Sequence, residues 1–193
     1  MKWILAIALL CASCGYRWGL SSEGDLPTIT VPYISGDDDG MFTTELSNSL
    51  SSSGLFDVRN SGGQYRLAVC IGQNKNDTIG YRRDPQRIKT KIKHQLLACE
   101  GRRQLEADVT LYEGNSDKIA AGPFRVTADV DYDYVDGDSY PQLTFISKTG
   151  ETVVVLPFSL GQLESIEAAQ EATNRPLYRK ISQKIVDVIS AEW

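Results

Sequence analysis

Three stretches of this chain alternate apolar and polar residues with a period of two. Tyr65, Leu67, Val69 and Ile71 alternate with Arg66, Ala68 and Cys70; Leu105, Ala107, Val109 and Leu111 alternate with Glu106, Asp108 and Thr110. Phe124, Val126, Ala128 and Val130 alternate with Arg125, Thr127, Asp129 and Asp131. Successive side chains of an extended strand point to opposite faces, so each stretch predicts a half-buried strand. Three in succession predict antiparallel neighbours in one sheet. Glu113-Gly114-Asn115, between the last two, reads as a hairpin-type turn. Ile29-Thr30-Val31, opened by Pro27 and closed by Pro32, predicts a shorter first strand.

Other segments carry helical spacing. Between Gly40 and Ser53, Phe42, Leu46 and Leu50 recur every fourth residue and form one apolar stripe. Asp37-Asp38-Asp39-Gly40 supplies a turn and a capping aspartate before it, and Gly54 a natural stop after it. Near the C-terminus, Leu163, Ile166, Ala169 and Ala172 or Thr173 fit a helix that Pro176 interrupts, with Asn174 as cap for a restart. Leu177, Ile181, Ile185, Val188 and Ile189 then form a clear stripe, with Arg179, Lys180 and Lys184 off it. The segment from Gly137, including the apolar run Val153 to Phe158, reads as irregular. This order predicts an α+β two-layer sandwich, two helices packed on one face of an antiparallel sheet of about four strands. Residues 27–193 form one domain without internal repeats.

The stretch from Arg82 to His94 extends two of these strands. Asp84-Pro85 is a turn signal, and Ile79, Tyr81, Ile88 and Ile92 on either side prolong the alternation into one long hairpin. With the turn centred there, facing residue numbers sum to about 169. Cys70 and Cys99 meet that condition, which favours a cross-strand disulfide, although a slip of one residue would part the thiols.

The N-terminus has a different character. Lys2 is followed by the apolar run Trp3 to Leu10, too short for the roughly 20 residues of a membrane span and of signal-peptide length. Cys11-Ala12-Ser13-Cys14-Gly15 resembles a bacterial lipobox, with Cys11 standing where leucine is usual and Leu10 one place too early. Residues 1–13 are therefore expected to be a signal peptide, Cys14 the acylated N-terminus and residues 14–26 a tether. Gly15, in place of an aspartate, resembles the pattern of lipoproteins sent on to the outer membrane. Acyl chains on Cys14 would then be the membrane attachment.

Charge and motifs narrow the function. Removing residues 1–13 leaves 180 of 193, enough for one domain, and lowers the basic count from 20 to 19 against 25 acids. The mature charge near −6 argues against nucleic acid and against general adhesion to anionic lipid, and any polyanion must meet a local basic patch. His94 is the only histidine, no Gly-x-Ser-x-Gly elbow is present, and Lys148-Thr149-Gly150 lacks a Ser-x-x-Lys partner and reads as a turn. Asp129, Asp131 and Asp133 fail the calcium-loop pattern, because Tyr134 and Tyr140 occupy the glycine and bidentate-glutamate positions; a solvated strand face is the better account. No metal, cofactor or catalytic set is expected.

One constellation remains. Arg82, Arg83, Arg87, Lys89, Lys91 and Lys93 lie within 13 residues beside His94, with Asp84 the single acid among them. Guanidinium and ammonium groups on a projecting hairpin suit phosphates or sugar-acid carboxylates, whereas the bland alternative is a hairpin kept soluble by its lysines.

Taken together, the chain resembles the lipopolysaccharide-assembly lipoprotein family. The resemblance rests on Cys14-Gly15-Tyr16-Arg17, the strand near Thr28–Val31, the helix with Glu45-Leu46, the strand after Tyr65, the Leu105–Leu111 strand, and the helix Leu177-Tyr178-Arg179…Ile185-Val186. It covers most of residues 14–190, with the Gly137–Phe158 segment departing. It implies a non-enzymatic outer-membrane lipoprotein that plugs the β-barrel of a lipopolysaccharide translocon, helps it assemble and binds lipopolysaccharide, with the Arg82–Lys93 hairpin facing the polyanion. The rival reading is a free-standing envelope lipoprotein that binds some other protein.

Overall fold

The structure, a computed structural model, describes residues 26–88, 91–135, 144–154 and 166–191, with the backbone alone for 84–88, 91–95, 144–145 and 154. The elements are β1 (Thr28–Thr30), α1 (Met41–Ser53), β2 (Asp57–Arg59), β3 (Tyr65–Ile88), β4 (Lys91–Glu113), β5 (Ile119–Asp133), β6 (Thr144–Ile146), β7 (Thr152–Val154), α2 (Ile166–Ala172) and α3 (Asn174–Ala191).

The main sheet has the order β2-β1-β3-β4-β5. The expected α+β layering holds, with two corrections to the sheet. It has five strands, and it is mixed: β3, β4 and β5 are antiparallel neighbours, whereas β1 runs parallel to both β2 and β3. The added strand, β2, is three residues long, too short to show a period of two. The Gly137–Phe158 segment is likewise more regular than expected. Thr144–Ile146 pairs with Thr152–Val154 as a separate hairpin, and its turn carries Lys148-Thr149-Gly150, with Gly150 at φ +82 and its N–H donating to the Ser147 carbonyl at 3.0 Å. Leu163 and residues 155–158 of the apolar run lie outside the described residues.

Alternation decides which face is covered. Leu67 and Val69 of β3, Leu105, Ala107, Val109 and Leu111 of β4, and Val126 and Ala128 of β5 are buried against the helices. Phe42, Leu46 and Leu50 come from α1; Leu177, Ile181, Ile185 and Ile189 from α3. Phe42 stacks on Tyr178 at 5.3 Å between ring centres, and the Arg179 guanidinium meets Glu45 at 3.3 Å across the two helices. The opposite face of the sheet is wet. There Arg125 lies 3.0 Å from Asp108 and 3.2 Å from Glu106, and Arg102 forks onto Asp131 at 2.6 and 2.9 Å. The Arg102 hydrogen bond holds the Asp131 carboxyl below its ordinary pKa. These aspartates are occupied by cations of the same sheet face.

Three details fix the layers. The carboxylate of Asp37, itself buried, accepts from the N–H of Phe42 (3.2 Å) and of Thr43 (2.8 Å) and from the Thr43 hydroxyl (2.6 Å), while Asp39 accepts from the N–H of Met41 (2.9 Å). The two aspartates thus satisfy the first three donors of α1, which starts after Gly40 at φ +72 and offers no side-chain cap of its own there. At the other end of the helical layer, Pro176 falls in the first turn of α3, where its missing N–H has no helical partner to lose. The break before it, at Thr173, is pinned by Arg103 of β4, whose Nη1 donates to the Gln170 carbonyl at 3.0 Å and also to the Asn174 side chain. Finally, Lys180 and Lys184 of α3 donate to the main-chain carbonyls of Asp129 and Thr127, each at 2.7 Å, on the outermost strand β5.

Candidate polyanion-binding ribbon

Strands β3 and β4 outrun the rest of the sheet. β5 follows β4 only to the pair Glu100↔Asp133, and β1 follows β3 only through Tyr65 and Arg66, with one further bridge from Ser35 to Cys70. Beyond that line β3 and β4 continue as a two-stranded ribbon. The change is marked by paired irregularities, because Ile79 and Cys99 have no direct partner. Such bulges bend a strand and increase its twist. Here Gly101 faces Tyr132, and a Cβ on Gly101 would collide with that ring.

The ribbon closes later than the sequence suggests. Asp84 and Pro85 pair with Gln95 and His94 inside the strands, and the last pair is Ile88↔Lys91. The Asp84-Pro85 turn is therefore corrected to a two-residue connection of Lys89 and Thr90, which lie outside the described residues. A proline is tolerated at Pro85 because β3 has no described neighbour on its far side there, so a missing outward N–H removes no ladder bond. Facing numbers sum to 178 or 179 along most of the hairpin instead of 169, and that moves the cysteines apart. Cys70 pairs with Asp108, nine residues along β4 from Cys99, or about 30 Å at the strand rise. The expected Cys70–Cys99 bridge is excluded by this register, and both thiols are free. Alkylation of the unreduced protein with iodoacetamide should add two labels at these positions; a mass that shows neither labelled until reduction would contradict the register.

The register places the predicted basic residues as follows. Arg82 pairs with Leu97 and Arg83 with Leu96; Arg87 pairs with Ile92, Lys93 with Gln86 and Lys91 with Ile88. Lys89 lies in the undescribed connection. Five of the six thus sit at defined positions within seven successive ladder rungs at the ribbon's end. Sequence reasoning placed Ile79 and Tyr81 in this hairpin but missed that they, with Leu96, stay exposed. Tyr81 is 57% exposed, Leu96 59% and Ile79 39%. Their signal was ambiguous, because the same alternation that buries a strand face in the sheet exposes it once the covering layer ends. The clefts elsewhere, beside Met41 and Arg175, are lined by Asp39, Glu45 and Glu171 and are unsuited to a polyanion. No group of three metal-ligating side chains occurs among the described residues.

A family model described as LptE, lipopolysaccharide-assembly, matches residues 26–189. The chain belongs to that family. LptE proteins are non-enzymatic lipopolysaccharide-assembly lipoproteins, so the function to be explained is recognition and assembly. Among solved structures the chain is similar to a minor lipoprotein from Acinetobacter baumannii, at 17% identity over 86% of this chain and 92% of that one, with a TM-score of 0.47. It is also similar to a putative lipoprotein from Caulobacter crescentus (13% identity, 84% and 88% covered, TM-score 0.47). A third is the rare lipoprotein B from Shewanella oneidensis (10% identity, 85% and 94% covered, TM-score 0.41). No curated protein matches the chain. No described helix of this LptE-family chain is long and apolar enough to cross a membrane.

Proposed function

We propose that this LptE-family protein is an outer-membrane lipoprotein, anchored through acyl chains on Cys14, that plugs the β-barrel of a lipopolysaccharide translocon and binds lipopolysaccharide through its basic ribbon. Residues 1–13 are its signal peptide, residues 14–26 its tether and residues 27–193 its single domain. The observation that carries the reading, beside family membership, is the concentration of Arg82, Arg83, Arg87, Lys89, Lys91 and Lys93 on a ribbon that leaves an otherwise acidic body. Phosphates and sugar-acid carboxylates are met there by charge-assisted hydrogen bonds, which are about twice as strong as neutral ones. The wet sheet face, with its exposed ion pairs, suits a polar lumen.

Affinity purification of the acylated protein after mild detergent extraction should bring down one large heat-modifiable barrel protein in equal amount. Recovery of the lipoprotein as a monomer would instead favour the free-standing alternative.

A further inference from the structure

One face of the ribbon has properties that phosphate recognition does not use. Tyr81 and Arg83 are two residues apart on β3, and their partners on β4 are Ala98 and Leu96. Alternation therefore puts Tyr81, Arg83, Leu96 and Ala98 on one side, while their neighbour Leu97 is buried on the other. Ile79, unpaired at the bulge, stands next to this group and is exposed as well. Exposures of 57% and 59% at Tyr81 and Leu96 show that, among the described residues, nothing walls them into a groove that could enclose a single acyl chain. The face is apolar at its centre and carries Arg83, and the sequence 82–94 holds six basic residues against Asp84 alone.

We propose that this face docks the ribbon on an anionic phospholipid surface, as a membrane contact additional to the acyl anchor. A ring and aliphatic side chains on one face with an arginine fit the headgroup boundary. The apolar bodies enter the first methylenes, and the cations stay among the lipid phosphates. Charge complementarity selects the partner: Arg83 lies on this face and Arg82 with Leu97 on the other, and the net of about +5 that the sequence carries over residues 82–94 draws this end of the ribbon to an acidic bilayer although the chain as a whole is not attracted. This goes beyond lipopolysaccharide recognition and stands or falls separately from it.

The test uses the full mature chain with Cys14→Ser, so that acyl chains do not mask weaker contacts, and vesicles free of lipopolysaccharide. Co-sedimentation is expected with phosphatidylcholine vesicles containing phosphatidylglycerol and not with phosphatidylcholine alone. Combining Tyr81→Ser with Leu96→Ser should weaken it about tenfold, the loss of shallow burial of two apolar side chains. A second variant guards against misfolding: Tyr81→Trp should still bind, with an added fluorescence component that brominated phosphatidylglycerol quenches. Absence of binding to acidic vesicles, equal binding to neutral ones, or Tyr81→Trp binding without added quenching each overturns the proposal. None of these outcomes bears on lipopolysaccharide affinity.

Discussion

Replacing Lys89, Lys91 and Lys93 together with serine is expected to weaken lipopolysaccharide binding by about 30- to 100-fold at low ionic strength. The substitutions lower the net charge of residues 82–94 from about +5 to about +2. Each lost contact is worth roughly 0.7–0.9 kcal/mol at an exposed site, and three together, about 2–3 kcal/mol, give that ratio. The difference should shrink to a few-fold in about 0.5 M salt, where screening has already removed most of the attraction. Titration of purified lipopolysaccharide against wild type and variant at two salt concentrations measures both effects. Lys91 and Lys93 pair beyond the sheet's helix-covered region, and thermal stability should be unchanged. An unaltered affinity at low salt would refute the ribbon as the polyanion site and leave family membership standing.

The largest effect on stability is expected at Asp37. Asp37→Ala strips acceptors from the buried N–H of Phe42 and from the half-buried N–H and hydroxyl of Thr43, and it uncaps the helix that carries Phe42, Leu46 and Leu50. A lost cap costs about 1 kcal/mol, and the fully buried Phe42 N–H left unpaired adds roughly 1–3, the Thr43 donors being only part-buried, so a total near 3 kcal/mol is expected. For a domain of this size that corresponds to a fall in Tm of about 6–12 °C. Asp37→Asn should cost less, since its amide oxygen still accepts. Burial opposes ionisation of Asp37, but the hydrogen bonds from Thr43 and Phe42 outweigh it and hold the carboxyl below its ordinary pKa. A depressed folded-state pKa contributes stability that is complete above the unfolded value and is lost as pH falls through the folded one. Wild type should therefore weaken below about pH 4, and the gap between wild type and Asp37→Ala should narrow there. Thermal melts from pH 3 to pH 7 read both.

Most of the fold was legible in the sequence where periodicity is strong. The period-two runs became β3, β4 and β5, and the Phe42-Leu46-Leu50 and Leu177-Ile181-Ile185 stripes became the buried faces of α1 and α3. What escaped had short-range or no periodicity. β2, β6 and β7 are three residues each, below the length at which alternation can be recognised. The parallel direction of β1 depends on a crossover through α1, which no local pattern encodes. The ribbon was visible as a hairpin, but its closing turn was misplaced because Asp84-Pro85 carries turn chemistry while occupying a strand with a free edge. That displacement of about five rungs also undid the cysteine pairing, since register errors propagate along the entire ladder. The basic residues were found because they cluster in sequence. The exposure of Tyr81 and Leu96 was not, because it depends on where the helices stop.

The two lysines on β5 bear on how such a protein can live beside a partner built of strands. An edge strand is a template that any extended chain can copy onto, and fusion of two sheets is difficult to reverse. Here the carbonyls of Thr127 and Asp129 are already engaged by Lys184 and Lys180, and Pro123 offers no N–H upstream. At the opposite edge β2 provides only three residues. The body of the sheet is thus insulated at both margins. Contact between this body and the proposed barrel is then made by side chains, a surface that can seat, be checked and be released during assembly, while among the described strands the ribbon keeps the free edges.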